Sequence, residues 1–290
     1  MARKSPRSRR KPDASQRLPG KTRPRATPGR GRKRAAPVRK AGPGRAAHAL
    51  KGARPPVAGK RARPNRARRG APRRSFEPPE PARVQALVEV LERLYPGATT
   101  ALHHRNPLQL LVATILSAQC TDARVNLVTP ALFARYPDAA SFASTPLPEL
   151  EGLIRSTGFF HSKAVAIKSC CADLVAKHAG LVPRTMDELT ALHGVGRKTA
   201  NVVLGDAFGI PGVVVDTHVT RLSQRLGLTN QKEPVKIEHA LMPLIPRERW
   251  TAFSHWLILH GRETCNARKP RCSACALASH CPRTGVTASQ

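Results

Sequence analysis

The chain has 290 residues, with 50 Lys+Arg against 18 Asp+Glu and a formal net charge of +32. That balance favours a polyanionic partner, and the lack of any apolar run of about 18 residues or more excludes a membrane-spanning helix. Seven cysteines are an odd number, and four of them crowd into residues 265–281, which points to a metal site in a reducing compartment and away from a disulfide framework.

The charge is unevenly placed. Residues 1–74 carry 27 Lys+Arg and one acid, Asp13, whereas the rest of the chain carries 23 Lys+Arg and 17 acids, so the net charges are +26 and +6. The first aromatic residue is Phe76, and 11 prolines fall within residues 1–75. Such a segment buries too little apolar surface to offset its ordering entropy. Residues 1–75 are therefore expected to form a disordered basic tail whose partner is nucleic acid, bound through phosphates without sequence preference. The proline content and missing amphipathic pattern argue against an organelle transit peptide, while GRGRKRAAP resembles a nuclear-localisation patch.

Residues 76–290 read as a helical protein. Val84, Leu87, Val88, Val90, Leu91 and Leu94 share one broad face of a helix over 82–96. NPLQLLVATILSAQC (106–120) is apolar almost all round and predicts a buried helix. TDARVNLVTPALFARYP (121–137) predicts another, capped by Thr121 or Asp122. Shorter helical segments follow at 147–156, 161–178, 186–192, 198–207, 217–227, 234–245 and 249–260, with Gly or Pro at most joints. Period-2 alternation is nearly absent, and the β-branched run GVVVD (212–216) is very short, so the expected class is all-α. STGFFHSKA (156–164) weakly echoes LHGVGRKTA (192–200); each runs glycine, short loop, basic residue, helix.

The second of these segments lacks both the phosphate-loop and the dinucleotide fingerprints. Gly194 and Gly196 allow positive φ and close approach of another backbone. The helix that opens after them aims its unpaired N–H groups at one spot, which suits an anion. A helix–hairpin–helix over 186–206 holding a nucleic-acid phosphate is the reading, with Gly194, Val195, Gly196, Arg197 and Thr199 as contacts. Lys198 sits in the first turn, where the helix dipole and the adjacent Arg197 disfavour a cation; a neutral amine is a nucleophile toward a sugar carbon. Asp216 follows the three valines and precedes a helix, so it is expected to be an N-cap whose carboxylate stabilises a cationic sugar or helps deprotonate the lysine. His218 is expected to orient the aspartate.

Cys265, Cys272, Cys275 and Cys281 give C-x6-C-x2-C-x5-C. Four thiolates at that spacing suit a four-iron, four-sulfur cluster or a tetrahedral zinc. Between the first two lie Arg268, Lys269 and Arg271, a candidate phosphate clamp on a rigid ligand loop. Cys120, Cys170 and Cys171 are expected to be buried packing residues.

Together, LHGVGRKTANVV, VDTHVTRL and the four-cysteine spacing closely resemble endonuclease III, the iron–sulfur DNA glycosylase family of the helix–hairpin–helix superfamily, as do LLVATILSAQCTD (110–122) and HWLILHGRETCNARKPRC (255–272). The resemblance spans roughly residues 82–283. It implies two lobes, one a helical barrel of about 103–213 and the other 76–102 plus 214–283, with damaged double-stranded DNA between them and the base flipped out. It implies a 4Fe-4S cluster on the cysteines and attack by Lys198 assisted by Asp216. Removal of an oxidised pyrimidine and β-elimination 3′ to the lesion would follow. Gln119 matches the residue that wedges into the gap left in the duplex. His193 stands where the family usually has proline, which is expected to loosen the hairpin. A lysine-free adenine-mismatch glycosylase is disfavoured, because Lys198 is present and the early helix has no acid. A pyrimidine-dimer or mismatch relative and a non-catalytic basic DNA-binding protein are the remaining alternatives. A monomer in a reducing, DNA-containing compartment is expected: cytoplasm and nucleoid, or a nucleus or organelle.

Overall fold

The structure is a computed structural model that describes residues 76–290; the expected basic tail, 1–75, lies outside the described residues. Among the described residues there are eleven α-helices and no strand. They are α1 (Pro81–Leu94), α2 (Pro107–Leu116), α3 (Asp122–Arg135), α4 (Ala139–Ser144), α5 (Leu147–Ile154), α6 (Phe160–His178), α7 (Met186–Thr190), α8 (Arg197–Val202), α9 (Thr217–Arg225), α10 (Pro234–Leu241) and α11 (Trp250–Glu263). None is long and apolar enough to cross a membrane.

Short polar side chains set several helix starts. Asn106 accepts from the Gln109 amide and Thr121 from the Arg124 amide, contacts each worth about 1 kcal/mol. Thr121 is thus the cap of α3, and Asp122 its first residue. Asp138 and Ser141 form a reciprocal capping box on α4, a helix that the sequence periodicity does not reveal because only six residues form it.

The apolar residues gather into two cores. One holds side chains from Leu102 to Leu204 together with Val214; the other joins Val84–Leu91 of α1 to Val213, Val215 and apolar side chains from Val219 to Leu277. The three valines explain how one chain serves both. The segment Val213–Val215 is extended, so successive side chains point to opposite sides. Val213 and Val215 enter the second core and Val214 the first. The Val214 amide donates to Ser254 Oγ at 2.9 Å, and the Val213 carbonyl accepts from Asn201 Nδ2 at 3.2 Å. The segment reads like a strand yet makes no ladder; its polar backbone is satisfied by buried side chains instead.

Three expected helices end four or more residues before their apolar patterns do; one of them, α10, stops at Leu241 and not at 245. α2 stops at Leu116, not at Cys120. The Leu116 carbonyl accepts from Lys163 Nζ at 2.8 Å, Ser117 Oγ turns back to the Thr114 carbonyl, and the chain then passes through Gln119 at φ 51. α8 gives way after Val202 to one π-helical turn, Val203–Ala207, which ends the segment expected as helix to 207.

Candidate active site

The hairpin is built on α6. Gly194 has φ 75, and a Cβ there would lie 2.9 Å from Ala166 Cβ, so both the turn and the packing demand glycine. Gly196 differs from the expectation: it caps α8 at φ −93 and ψ 169, in ordinary extended backbone. A Cβ at Gly196 would meet nothing within 4 Å, so its glycine leaves open surface at the helix start. Val195 is buried. The exposed His193 does not leave the turn loose. Its amide donates to Asp173 Oδ2 at 3.0 Å, a bond that proline could not make. The Lys177 ammonium and this amide hold the Asp173 carboxyl below the usual carboxylate range.

Arg197 and Lys198 part company at the start of α8. The Arg197 guanidinium donates to both oxygens of Glu238, at 2.7 and 2.8 Å, and the nearly buried Glu238 also accepts from Asn201 Nδ2 at 3.1 Å. Arg197 therefore spends its charge on α10, which corrects the expectation that it repels Lys198. The Lys198 side chain is exposed and lines a cleft where the two cores meet. Asp216, Thr199 and Gln119 line the same cleft.

Asp216 is the N-cap of α9. Its Oδ1 accepts from the amides of His218 and Val219, both at 2.8 Å, and its Oδ2 faces His218 Nδ1 at 3.2 Å. His218 is outside the cleft lining and packs on Gly261, where a Cβ would lie 2.9 Å from its ring. The aspartate is thus held from behind.

Several cleft groups carry no motif. Arg262 Nη2 donates to Asp122 Oδ2 at 2.9 Å, and both residues line the cleft. His255 Nε2 lies 2.8 Å from Oδ1 of the buried Asp206 in the π-helical turn, and Asp206 also accepts from Thr99 Oγ1 and the Thr100 amide. These partners are 140 and 49 positions apart, and no spacing rule would have paired them.

Gln119 and Phe159 are both exposed, non-glycine and left-handed, at φ 51 and φ 48; such conformations cost about 1 kcal/mol or more each. Between the two turns lies Lys163, only 4% exposed, whose ammonium donates at 2.8 Å to the carbonyls of both Leu116 and Thr157. Charge-assisted bonds of this kind contribute about 1.5–3 kcal/mol each, offsetting desolvation. Burial still pushes the Lys163 ammonium below the ordinary lysine range, with Cys120 acting the other way. Cys120 itself is half-buried, unlike the fully buried Cys170 and Cys171, because it sits on this surface turn.

Cys265, Cys272, Cys275 and Cys281 face one pocket that Leu222, Leu226, Leu277 and Val286 make apolar. No three metal-ligating groups converge on a point among the described residues. The thiols instead line different sides of this small apolar pocket. Arg225 from α9 donates to the carbonyls of Asn266 and Ala267 at 2.7 and 2.6 Å, and Arg221 to those of Gly261 and Cys265 at 2.9 and 3.2 Å. The helix that Asp216 caps therefore also grips the cysteine loop. Arg268, Lys269 and Arg271 are exposed on that loop, outside the cleft lining.

A helical fold whose cleft collects a glycine-turn hairpin, an exposed lysine and a helix-capping aspartate is of the helix–hairpin–helix class. The family model for HhH-GPD superfamily base excision DNA repair protein matches residues 112–247. The chain is 58% identical over 201 residues to endonuclease III of Synechocystis sp., covering 69% of this chain and 92% of that one, and 44% identical to endonuclease III of Bacillus subtilis, covering 68% and 91%. A solved structure described as a trapped endonuclease III–DNA covalent intermediate, an estranged-adenine complex, aligns with a TM-score of 0.67 at 44% identity, covering 70% of this chain and 96% of that one. The chain belongs to the endonuclease III family, and is a base excision repair DNA glycosylase with abasic-site lyase activity.

Proposed function

We propose that Lys198 is the nucleophile and that the substrate is an oxidised pyrimidine in double-stranded DNA. The observation that carries this reading is the shared cleft: an exposed lysine, unpaired among the described residues, a capped aspartate and Gln119 line one concavity. A base in the stack cannot reach such a site, so the nucleotide is flipped into it. Lys198 Nζ bonds to C1′ as the C1′–N bond to the base breaks, and the base leaves with a proton. Loss of a proton from the nitrogen and opening of the sugar give the Schiff base. Removal of a C2′ proton then expels the 3′ phosphate by β-elimination. Asp216, fixed by two amides, stabilises the cationic sugar as the base departs and receives protons in turn. His218 keeps the free oxygen of Asp216 in place. The relative trapped as a covalent intermediate with DNA supports a covalent route.

Gln119 fills the gap that the flipped nucleotide leaves. The open start of α8, from Gly194 to Thr199, receives a backbone phosphate through its amides. Arg268, Lys269 and Arg271 add electrostatic contacts farther along the strand. Arg197, committed to Glu238, contributes by fixing the hairpin.

The four cysteines suit a 4Fe-4S cluster better than a single zinc ion, because a cluster takes one cysteine per iron across unequal loops, whereas structural zinc sites usually pair two short C-x2-4-C turns and only Cys272 and Cys275 form one. When bound, the cluster supplies structural cross-linking of the loop that carries the three cations. Iron and acid-labile sulfide in equal amounts are the expected analysis; zinc alone would contradict it. The enzyme acts as a monomer on the nucleoid, or on nuclear or organellar DNA.

A lesion panel tests the substrate. Duplexes carrying oxidised pyrimidines should be incised 3′ to the lesion, and intact or mismatched duplexes left whole. Incision only at pyrimidine dimers or mismatches would replace this reading.

A further inference from the structure

We propose that Lys163 is a positioning residue that staples the turns of Gln119 and Phe159 into one rigid pair of tips, which engage the duplex together. The inference rests on the function proposed above.

The two turns are far apart in sequence but share one nitrogen. Lys163 Nζ donates at 2.8 Å to Leu116 O, three residues before Gln119, and at 2.8 Å to Thr157 O, two residues before Phe159. Each turn then carries an exposed side chain on left-handed, non-glycine backbone. Glycine at 119 or 159 would relieve the strain, so the side chains there are retained against a conformational penalty. Strain of this kind persists only where the surroundings over-determine it. The ammonium supplies that constraint from beneath, 4% exposed.

Its placement has a physical basis. Lys163 lies in the first turn of α6, where the helix dipole opposes a cation, but Leu116 O closes α2, where the dipole favours one. The charge is thus drawn across to the end of α2 and away from its own helix. In the echoing segment, Lys198 occupies the first turn of α8 and stays exposed to the cleft. One pattern has produced an inward lysine that positions and an outward lysine that reacts.

The tips matter only where a duplex must be opened and its gap filled. An abasic site in single-stranded DNA needs neither, because the sugar is already accessible to Lys198. Lys163→Met keeps the chain length and removes the donor. Its kcat/KM on lesion duplex should fall by about 10²-fold, the scale of a 1 Å misplacement. Borohydride trapping on a single-stranded abasic oligonucleotide should keep the wild-type yield. Equal loss on both substrates, or loss on neither, overturns the proposal. If Lys163→Met does not fold, Lys163→Gln decides, since it keeps a buried N–H donor but lacks the reach to bridge both carbonyls. It should show the same loss of duplex incision, and full duplex incision overturns the proposal. Wild-type enzyme that forms no adduct with either DNA would instead defeat the function assigned to Lys198.

Discussion

Arg197 and Glu238 form a two-pronged ion pair, at 2.7 and 2.8 Å, that ties the first residue of the hairpin's second helix to α10. Lys198, the next residue, is left alone in the cleft. The division is geometric. Consecutive helical side chains point about 100° apart, so one faces the second core and the other the cleft.

Arg197→Ala should therefore act on stability more than on phosphate binding. It strands the carboxylate of Glu238, which is almost fully buried. The expected cost is about 2–3 kcal/mol in urea unfolding, with the salt dependence of DNA binding unchanged. A shallower salt slope with unaltered stability would make Arg197 a phosphate contact.

Asp216 caps α9 and, in the proposed reaction, stabilises the sugar; one substitution separates the two roles. Asparagine caps a helix about as well as aspartate, because its oxygen also accepts from the amides. Asp216→Asn should keep the thermal midpoint while base release in single-turnover assays falls by about 10²-fold or more. Parallel loss of fold and rate would reduce Asp216 to a cap.

His193 is anchored by Asp173, whose carboxyl is held below its ordinary range by Lys177 and the His193 amide. A depressed folded pKa means that this contribution is complete above the unfolded value, near about 4, and is lost as pH falls through the lower folded value. Asp173→Ala should lower Tm by about 2–4 °C at neutral pH. The difference from wild type should close under acid conditions; an equal gap at every pH would mean that the carboxylate is not the anchor.

Residues 1–75 carry most of the positive charge. Removing them should weaken binding to undamaged DNA and flatten its salt dependence. The rate at saturating lesion duplex should stay as it was. An unchanged salt slope would show that these residues do not touch phosphates.

Much of this molecule is legible in the sequence because its signals are local. Apolar periodicity finds the long helices, Thr121 or Asp122 marks the start of one, and the glycine-turn and cysteine spacings are short. The partners that hold the cleft together are not local. Glu238, Asp206, His255 and Arg262 meet their counterparts only through packing of the two cores. Gly196 looks like a second left-handed glycine but serves an extended cap. The end of α2 is hidden because its apolar pattern runs on, while a lysine 47 residues away claims its last carbonyl. His193, which seems to weaken the hairpin, gains an amide bond that only its unseen neighbour Asp173 explains.

The central claim is that the lysine left free beside Arg197 attacks the sugar. Borohydride reduction during reaction with a duplex containing an oxidised thymine tests it directly. The wild-type protein should be captured covalently on the DNA, and Lys198→Ala should give no adduct while remaining folded. An adduct of equal yield in Lys198→Ala would assign the nucleophile to another amine.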